Sequence, residues 1–419
     1  MIFSRRQFLK TGASVLAIGS AVPTVLMNLA QARGEENNKS TDGRILVIFE
    51  LNGGNDGLNT VIPITDAQYP LVRPTLAIPQ GQVLMLDDKV GLHPAMSALH
   101  DLYKNNQLAV IQGAGYPNAN RSHFRSMEIW HRGDPGKDVN TGWLGRYYEQ
   151  AAAAQNKSVV PIVHYGQQRP EIFRAGRAPA MSVNAVDDFY PMGQKPESVA
   201  ISTLYKDMKK DAPDMPADDM HTDAKAPEDV IESTGQDIVK GTEIIKAVLK
   251  HPRQTRVNYP KNDIGRGFAV FAQMIIENHG TKLFYINIGG FDTHAKQAPG
   301  HAAQLGLVSA AIGAFLADLK TENRDKDVLV MSFSEFGRRV HENASAGTDH
   351  GAASVMFIAG GAVKGGLYGK YPSLADLDDG DLKYNVDFRD CYATILENWL
   401  GTPADKVLPG HKGRQTFLG

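Results

Sequence analysis

The chain has 419 residues, of which 42% are apolar and 21% are charged, and its formal net charge is −2. These proportions are those of a globular protein with one large domain or two ordinary ones. A chain this close to neutral lacks the positive charge that nucleic acid or an anionic membrane surface would attract. The lone cysteine, Cys391, excludes an internal disulfide and a zinc site built from cysteines.

The first 32 residues have the features of an export signal. Residues 4–10 read SRRQFLK, which matches the twin-arginine consensus S-R-R-x-F-L-K at every defined position. An apolar segment follows over residues 11–29, and Ala30-Gln31-Ala32 fits a small-x-small cleavage site. A permanent membrane anchor is disfavoured because glycine and proline interrupt the short apolar run. We therefore predict a twin-arginine signal peptide (1–32), export to the periplasm or beyond by the twin-arginine translocase, and no stable membrane span after cleavage.

A polar linker (33–43) precedes a predicted α/β domain over residues 44–419. Apolar runs predict strands at 45–51, 108–112, 159–163, 283–288, 328–331 and 355–359. Helical spacing of apolar residues predicts helices at 94–105, 124–131, from 143, and at 231–249, 265–278 and 305–320, with a last helix opened by Asp387. This alternation predicts a doubly wound, largely parallel sheet with helices on both faces. Residues 187–229 are charged and rich in methionine and proline, which predicts a mobile excursion or a small cap.

Carboxylate and imidazole side chains follow several of the predicted strands. The first strand leads into the glycine turn before Asp56, another leads through two glycines to Asp292 and His294, and Glu335 follows the strand at 328–331. In open α/β sheets, ligands bind at the carboxyl ends of the strands. Carboxylate oxygens mixed with imidazoles suit Zn²⁺, Mn²⁺ or Mg²⁺. The predicted metal ligands are Asp56, Asp292, His294, Glu335, Asp349 and His350.

The second predicted strand leads to Arg121-Ser122-His123. The Ser122 hydroxyl at this position could act as a nucleophile, with Arg121 ready to bind an anion and His123 beside it. The same serine could instead cap the helix predicted at 124–131. Both interpretations remain open at the level of the sequence, and Ser122, Arg121 and His123 are the predicted catalytic residues.

Several longer motifs together resemble the DUF1501 family. They include NGGNDGLNT, GLHP, QGAGYPNANRSHF, GWLGRY, GGFDTH, SFSEFGRR, GTDHG, VKGGLYG and DFRDCYATILENWLG, and the resemblance covers nearly all of residues 40–419. The family is grouped with the alkaline phosphatase/sulfatase superfamily, so the resemblance implies that fold. It also implies that Asp56, Asp292, His294 and His350 correspond to superfamily metal ligands and that Ser122 corresponds to its hydroxyl nucleophile.

Two departures from the superfamily pattern affect the implied metal site. The superfamily's Asp-x-x-x-His is Asp-x-His here, and its Asp-His pair falls on Glu335-Phe336. Since a phenylalanine cannot bind a metal, one of the two metal positions that the resemblance implies is weakened or lost, unless Asp349 or His123 substitutes.

Two functional hypotheses follow. The first is an exported metal-dependent hydrolase of phosphate or sulfate esters, with a small anionic ester as substrate, in which Ser122 attacks and Arg121 steadies the oxyanion. The alternative is a non-catalytic periplasmic binding or assembly protein on a degenerate metallohydrolase fold. A third possibility, that the histidines only make hydrogen bonds in the core, is disfavoured because so many polar groups follow strand ends. The position of Ser122 relative to the predicted ligands distinguishes the first two hypotheses.

Overall fold

The structure is a computed structural model that describes residues 43–136, 139–152, 162–166, 170–175, 181–183, 189–191, 241 and 243–418. The predicted signal peptide (1–32) lies outside the described residues. So do all of the linker but Gly43 and all of the 187–229 segment but residues 189–191.

The described strands follow the apolar runs of the sequence. Those near the amino terminus are β1 (Ile45–Leu51), β2 (Val61–Pro63), β3 (Leu84–Met85), β4 (Val90–Leu92), β5 (Leu108–Gly115), β6 (Ile162–Tyr165), β7 (Met181–Val183) and β8 (Phe189–Pro191). The later strands are β9 (Leu283–Ile288), β10 (Val328–Phe333), β11 (Ser354–Ala359), β12 (Gly366–Tyr368), β13 (Leu377–Asp378), β14 (Asp381–Leu382) and β15 (Val386–Asp387).

The described α-helices lie between these strands. They are α1 (Gly57–Thr60), α2 (Gln68–Val72), α3 (Ser97–Lys104), α4 (His123–Arg132), α5 (Trp143–Ala152), α6 (Asp263–Ile276), α7 (Gln297–Thr321) and α8 (Phe388–Thr394). Residues 243–250 are also helical, which covers the end of the helix predicted at 231–249.

Ten of the described strands form one sheet. Its order is β12-β5-β11-β10-β1-β9-β6-β7-β8, with β15 beside β5. β1 is parallel to both of its neighbours, β9 and β10. β5 and β10 are both antiparallel to β11, which lies between them, so β5 runs in the same direction as β1. One edge of the sheet therefore contains the carboxyl ends of β1, β5, β9 and β10 and the amino end of β11. The candidate site residues lie in the loops at this edge.

Helices cover both faces of the sheet because successive side chains of a strand point to opposite faces. Val47 and Phe49 of β1 belong to one apolar core with residues of α3, α6 and α7. Leu46 and Ile48 belong to the other core, with residues of α4, α5 and α8. The predicted doubly wound, largely parallel α/β fold is confirmed, with β8 and β11 as antiparallel strands in the described part of the sheet.

α7 differs most from its predicted bounds. It begins at Gln297, eight residues before the predicted start at Leu305. Pro299 allows this extension because it falls in the first turn of the helix, where proline does not disrupt the hydrogen bonds. Its length and mean hydropathy would also suit a membrane span, but 56% of its apolar window is buried inside the protein. Val308, Ile312 and Phe315 are fully buried against the sheet, so α7 is a core helix.

Candidate metal centre

A glycine turn after β1 forms the floor of the site. Gly53 and Gly54 have φ values of +119° and +75°, and a Cβ on Gly54 would lie 2.3 Å from the ring of Phe336. Glycine is therefore required there both for the backbone conformation and for the close approach. The turn brings its carbonyl groups against Arg338, a side chain with no solvent exposure.

Arg338 connects the loops that follow β1, β9 and β10. It donates to the carbonyl oxygens of Gly54 (2.6 Å), Thr348 (2.8 Å), Phe291 (2.9 Å) and Gly53, and to Asp292 Oδ1 (2.8 Å). Burial raises the pKa of Asp292, but the Arg338 guanidinium and neighbouring histidines outweigh this and lower it to about 2. The Asp292 carboxylate is therefore ionised and fixed in orientation.

Three imidazoles surround the Asp292 carboxylate. His294 Nε2 and His350 Nε2 lie 3.0 Å and 3.2 Å from its Oδ1 and 2.9 Å from each other, and His123 Nε2 lies 3.5 Å from its Oδ2. Among the described residues, the donor atoms of His123, Asp292 and His350 form the group within 4.8 Å of one another that could hold a metal ion. His294 borders this group.

The other ring nitrogen of each histidine is bound to an oxygen. His350 Nδ1 lies 2.8 Å from the Arg121 carbonyl oxygen, His123 Nδ1 lies 2.8 Å from Glu335 Oε1, and His294 Nδ1 lies 3.2 Å from Asp349 Oδ1. Because carbonyl and carboxylate oxygens only accept, each Nδ1 carries the proton. In the neutral rings, all three Nε2 atoms then present lone pairs toward Asp292.

This arrangement fits a divalent cation. Lone pairs of Nε2 atoms 2.9 Å apart repel each other and the Asp292 carboxylate, and only a proton or a metal ion between them makes the contacts attractive. A metal-bound histidine characteristically donates its second N–H to a carboxylate or a backbone carbonyl, as all three do here. Phe336 packs against the rings of His123 and His350 at centroid distances of 4.9 and 4.8 Å, which fixes both rings.

Glu335 and Asp349 lie behind the histidines instead of beside Asp292. Glu335 is buried and also accepts from the Gly53 amide and the Ser334 hydroxyl. Burial raises the pKa of Glu335, but these donors and His123 lower it overall. Asp349 accepts from Asn343 Nδ2 as well as from His294, and these bonds lower its pKa. Both carboxylates, predicted as metal ligands, are placed to orient histidines.

Asp56 is occupied by a buried ion pair. Arg73 binds both of its carboxylate oxygens, at 2.6 and 3.0 Å, and neither side chain is exposed. Burial raises the pKa of Asp56, but Arg73 outweighs this and lowers it to about 2. Gln297 also donates to Asp56 and connects it to Thr348. A metal would have to replace the arginine, so Asp56, expected as a ligand, is left out of the ligand set derived from this geometry.

The structure places Ser122 at the N-cap of α4, between two residues that contact the cluster. Its hydroxyl makes no capping hydrogen bond, and the residue is exposed. The carbonyl of Arg121 holds His350, and the ring of His123 belongs to the cluster. The Arg121 guanidinium is not free, because it binds Asp379 and Asp381. His123, predicted as catalytic, joins the candidate metal ligands.

The important residues that sequence reasoning missed are arginines. Arg338 lies within the quoted motif SFSEFGRR, but nothing in its spacing shows that this arginine is buried and its neighbour Arg339 is not. Arg73 is 17 residues from Asp56 and belongs to no motif.

Comparisons with known proteins identify the family. Comparison with curated proteins returns no match. Similar solved structures include Ps i-CgsB (10% identity, TM-score 0.40, 89% of this chain and 75% of that chain). A second is an alkaline phosphatase superfamily protein from Vibrio parahaemolyticus, with 10% identity and a TM-score of 0.31 over 83% of this chain and 71% of that chain. A third is the lipoteichoic acid synthase LtaP from Listeria monocytogenes, with 10% identity and a TM-score of 0.33 over 95% of this chain and 80% of that chain. TM-scores below 0.5 carry no argument about activity. The model of DUF1501, described as a protein of unknown function, matches residues 43–419, and the chain therefore belongs to the DUF1501 family.

Proposed function

We propose that this protein is an exported, metal-dependent hydrolase of phosphate or sulfate esters. The observation that carries the proposal is the convergence of three imidazole Nε2 atoms on the Asp292 carboxylate, with every Nδ1 held by an oxygen. A histidine with a purely structural role forms hydrogen bonds to donors or acceptors, and it has no need of a second imidazole nitrogen directed at its own unprotonated nitrogen. Side chains oriented in this way are the usual surroundings of a catalytic metal ion.

The proposed ligands are His123, Asp292, His294 and His350. Three imidazoles and one carboxylate favour Zn²⁺ or Mn²⁺ over Mg²⁺, which prefers oxygen ligands. Such a cation supplies Lewis-acid stabilisation of the charge that develops on an ester oxygen. A single ion is proposed because Phe336 stands at the edge of this cluster, where the family resemblance implies a second ligand histidine.

Ser122 is the proposed nucleophile. Its exposed hydroxyl makes no helix-capping bond, and its two neighbours in the chain both contact the cluster. Attack of Ser122 Oγ on phosphorus or sulfur would release the alcohol and leave a seryl ester, which water then hydrolyses. Arg121 would contact a substrate anion only after the Asp379 carboxylate has left its guanidinium.

Export through the twin-arginine translocase is part of the proposal. The support is the SRRQFLK motif with Ala30-Gln31-Ala32, both of which precede the domain that begins near residue 44. This route transports folded proteins, which is consistent with a metal site that is complete before export. No stable membrane span is proposed after cleavage.

The second candidate function is a non-catalytic binding or assembly protein. Two observations favour this second function. Phe336 stands where the superfamily resemblance implies a metal-binding residue, and Arg121 is paired with Asp379. The deciding experiment loads the protein with Zn²⁺ or Mn²⁺ and measures hydrolysis of 4-nitrophenyl phosphate and 4-nitrophenyl sulfate. The hydrolase proposal expects turnover that chelator abolishes. Full metal occupancy without turnover of any phosphate or sulfate ester would favour the binding protein.

A further inference from the structure

Two arginines beside the candidate metal centre converge on one exposed carboxylate. Arg121 Nη2 and Arg339 Nη2 lie 2.9 Å and 3.6 Å from the same oxygen, Asp379 Oδ2. The two arginine side chains are one-third exposed, whereas that of Asp379 is 76% exposed. A pair of guanidinium groups is therefore arranged around a single anionic oxygen at the surface.

Asp379 lies at the tip of a small hairpin outside the central sheet. β13 and β14 contribute two residues each, and Asp379 and Gly380 between them have φ values of +48° and +80°. Two successive positive φ values are typical of a tight two-residue hairpin turn. The turn itself is anchored, because the Asp379 carbonyl accepts from Arg339 Nη1 at 2.6 Å and the Gly380 carbonyl accepts from the Val340 amide at 3.4 Å. The exposed Asp379 carboxylate can therefore rotate away from the two guanidiniums without moving the hairpin or the central sheet.

The backbone of both arginines belongs to the candidate site. The Arg121 carbonyl accepts from His350 Nδ1 at 2.8 Å, and the Arg339 amide donates to the Asp349 carbonyl at 2.9 Å. Arg121 directly precedes Ser122 in the chain. The two guanidiniums are therefore carried by the same backbone segments that hold the histidine cluster and Ser122.

We propose that Arg121 and Arg339 form a subsite for a second anionic group of the substrate, and that Asp379 occupies this subsite until the substrate arrives. This inference rests on the proposed function and narrows the substrate class. It selects esters that carry a further sulfate, phosphate or carboxylate group near the reacting one. Planar guanidiniums bind such oxyanions through two parallel hydrogen bonds.

The charges around the subsite favour this exchange. Asp381 is buried and lies 2.6 Å from Arg121 Nη2, so it keeps that guanidinium in place when Asp379 leaves. In the described part of the chain, Asp381 is then the carboxylate that stays within ion-pair distance of both guanidiniums, at 2.6 Å from Arg121 and 4.0 Å from Arg339. The charge of Arg339 also acts on Asp349, but that carboxylate is bound to Asn343 and His294. The side of the guanidiniums that Asp379 leaves is therefore open to an incoming anion. Ion pairs with an exposed partner are weak, so a substrate anion can compete with Asp379.

The test measures binding of inorganic sulfate by calorimetry to chelator-treated full-length mature protein. Asp379→Asn removes the competing charge while keeping a residue that tolerates positive φ, and we expect sulfate to bind ~5-fold more tightly. Adding Arg339→Gln to this variant should abolish the gain. Asp376→Asn is the matched control, because Asp376 is 72% exposed and pairs with Lys383 instead; it should leave sulfate binding unchanged.

Equal sulfate affinity in the wild type, Asp379→Asn and the double variant would overturn the subsite. So would an equal gain in Asp376→Asn, which would indicate a general charge effect. The measurement needs neither metal nor turnover, so it separates the two proposals. A metal-loaded protein that hydrolyses simple esters but shows no effect of Asp379→Asn refutes only the subsite.

Discussion

Replacing Arg338 provides the sharpest test of how the loops around the site are held. Arg338 is completely buried and makes five hydrogen bonds, four to backbone carbonyls and one to Asp292. A lysine at this position keeps the charge but has three donors in place of five, so at least two acceptors lose their partner. Each buried acceptor left unsatisfied costs about 1–3 kcal/mol. We therefore expect Arg338→Lys to lower the free energy of unfolding by roughly 2–6 kcal/mol.

The assay is urea unfolding followed by circular dichroism, with Arg414→Lys as the control. Arg414 also binds a carboxylate, Glu397, but both side chains are about one-third exposed. Exposed pairs contribute about 0–1 kcal/mol, so the control should unfold close to the wild-type midpoint. A loss of less than ~1 kcal/mol in Arg338→Lys would refute the interpretation that this guanidinium joins the loops.

Three further predictions concern catalysis, pH and export. Ser122→Ala should abolish ester turnover and leave metal content and melting temperature unchanged; retained turnover would eliminate Ser122 as nucleophile. Burial lowers the pKa of His301 to about 4, so this ring stays neutral in the folded protein, and stability should fall as the pH drops from 6.5 toward 4. The free energy of unfolding, measured at pH 7 and pH 4.5, should fall by about 3 kcal/mol in the wild type and by less in His301→Gln. An equal fall in both proteins would exclude this histidine as the cause. Lysine at both Arg5 and Arg6 should keep the precursor in the cytoplasm on cell fractionation, and normal processing of that variant would contradict a twin-arginine signal.

The sheet could be predicted from the sequence because its central strands are nearly continuous apolar runs. β9 occupies the predicted residues 283–288, and Asp387 accepts a hydrogen bond from the Arg389 amide at the start of α8, as its N-cap position predicts. The direction of β11 could not be predicted, because a buried strand has the same apolar composition whether its neighbours are parallel or antiparallel.

The candidate site could be predicted only as a set of residues at strand ends. Sequence position indicated that Asp292, His294 and His350 meet, but it could not separate residues beside the carboxylate from residues behind it. Glu335 binds His123 from behind, a relation between residues 212 positions apart. Tautomers follow from hydrogen-bond partners, and those partners exist only in the folded protein.

Metal content tests the central claim most directly. The mature protein and its His350→Ala variant would be dialysed to equilibrium against Zn²⁺ or Mn²⁺ and then analysed for bound metal. We expect one ion per chain in the wild type, because the donor atoms of His123, Asp292 and His350 lie within 4.8 Å of one another and His294 Nε2 lies beside them. Removing His350 takes away one imidazole ligand and the ring that faces His294 Nε2, so the variant should retain less than ~10% of the metal under the same conditions. No bound ion in the wild type, or equal occupancy in the variant, would contradict a metal centre at these residues.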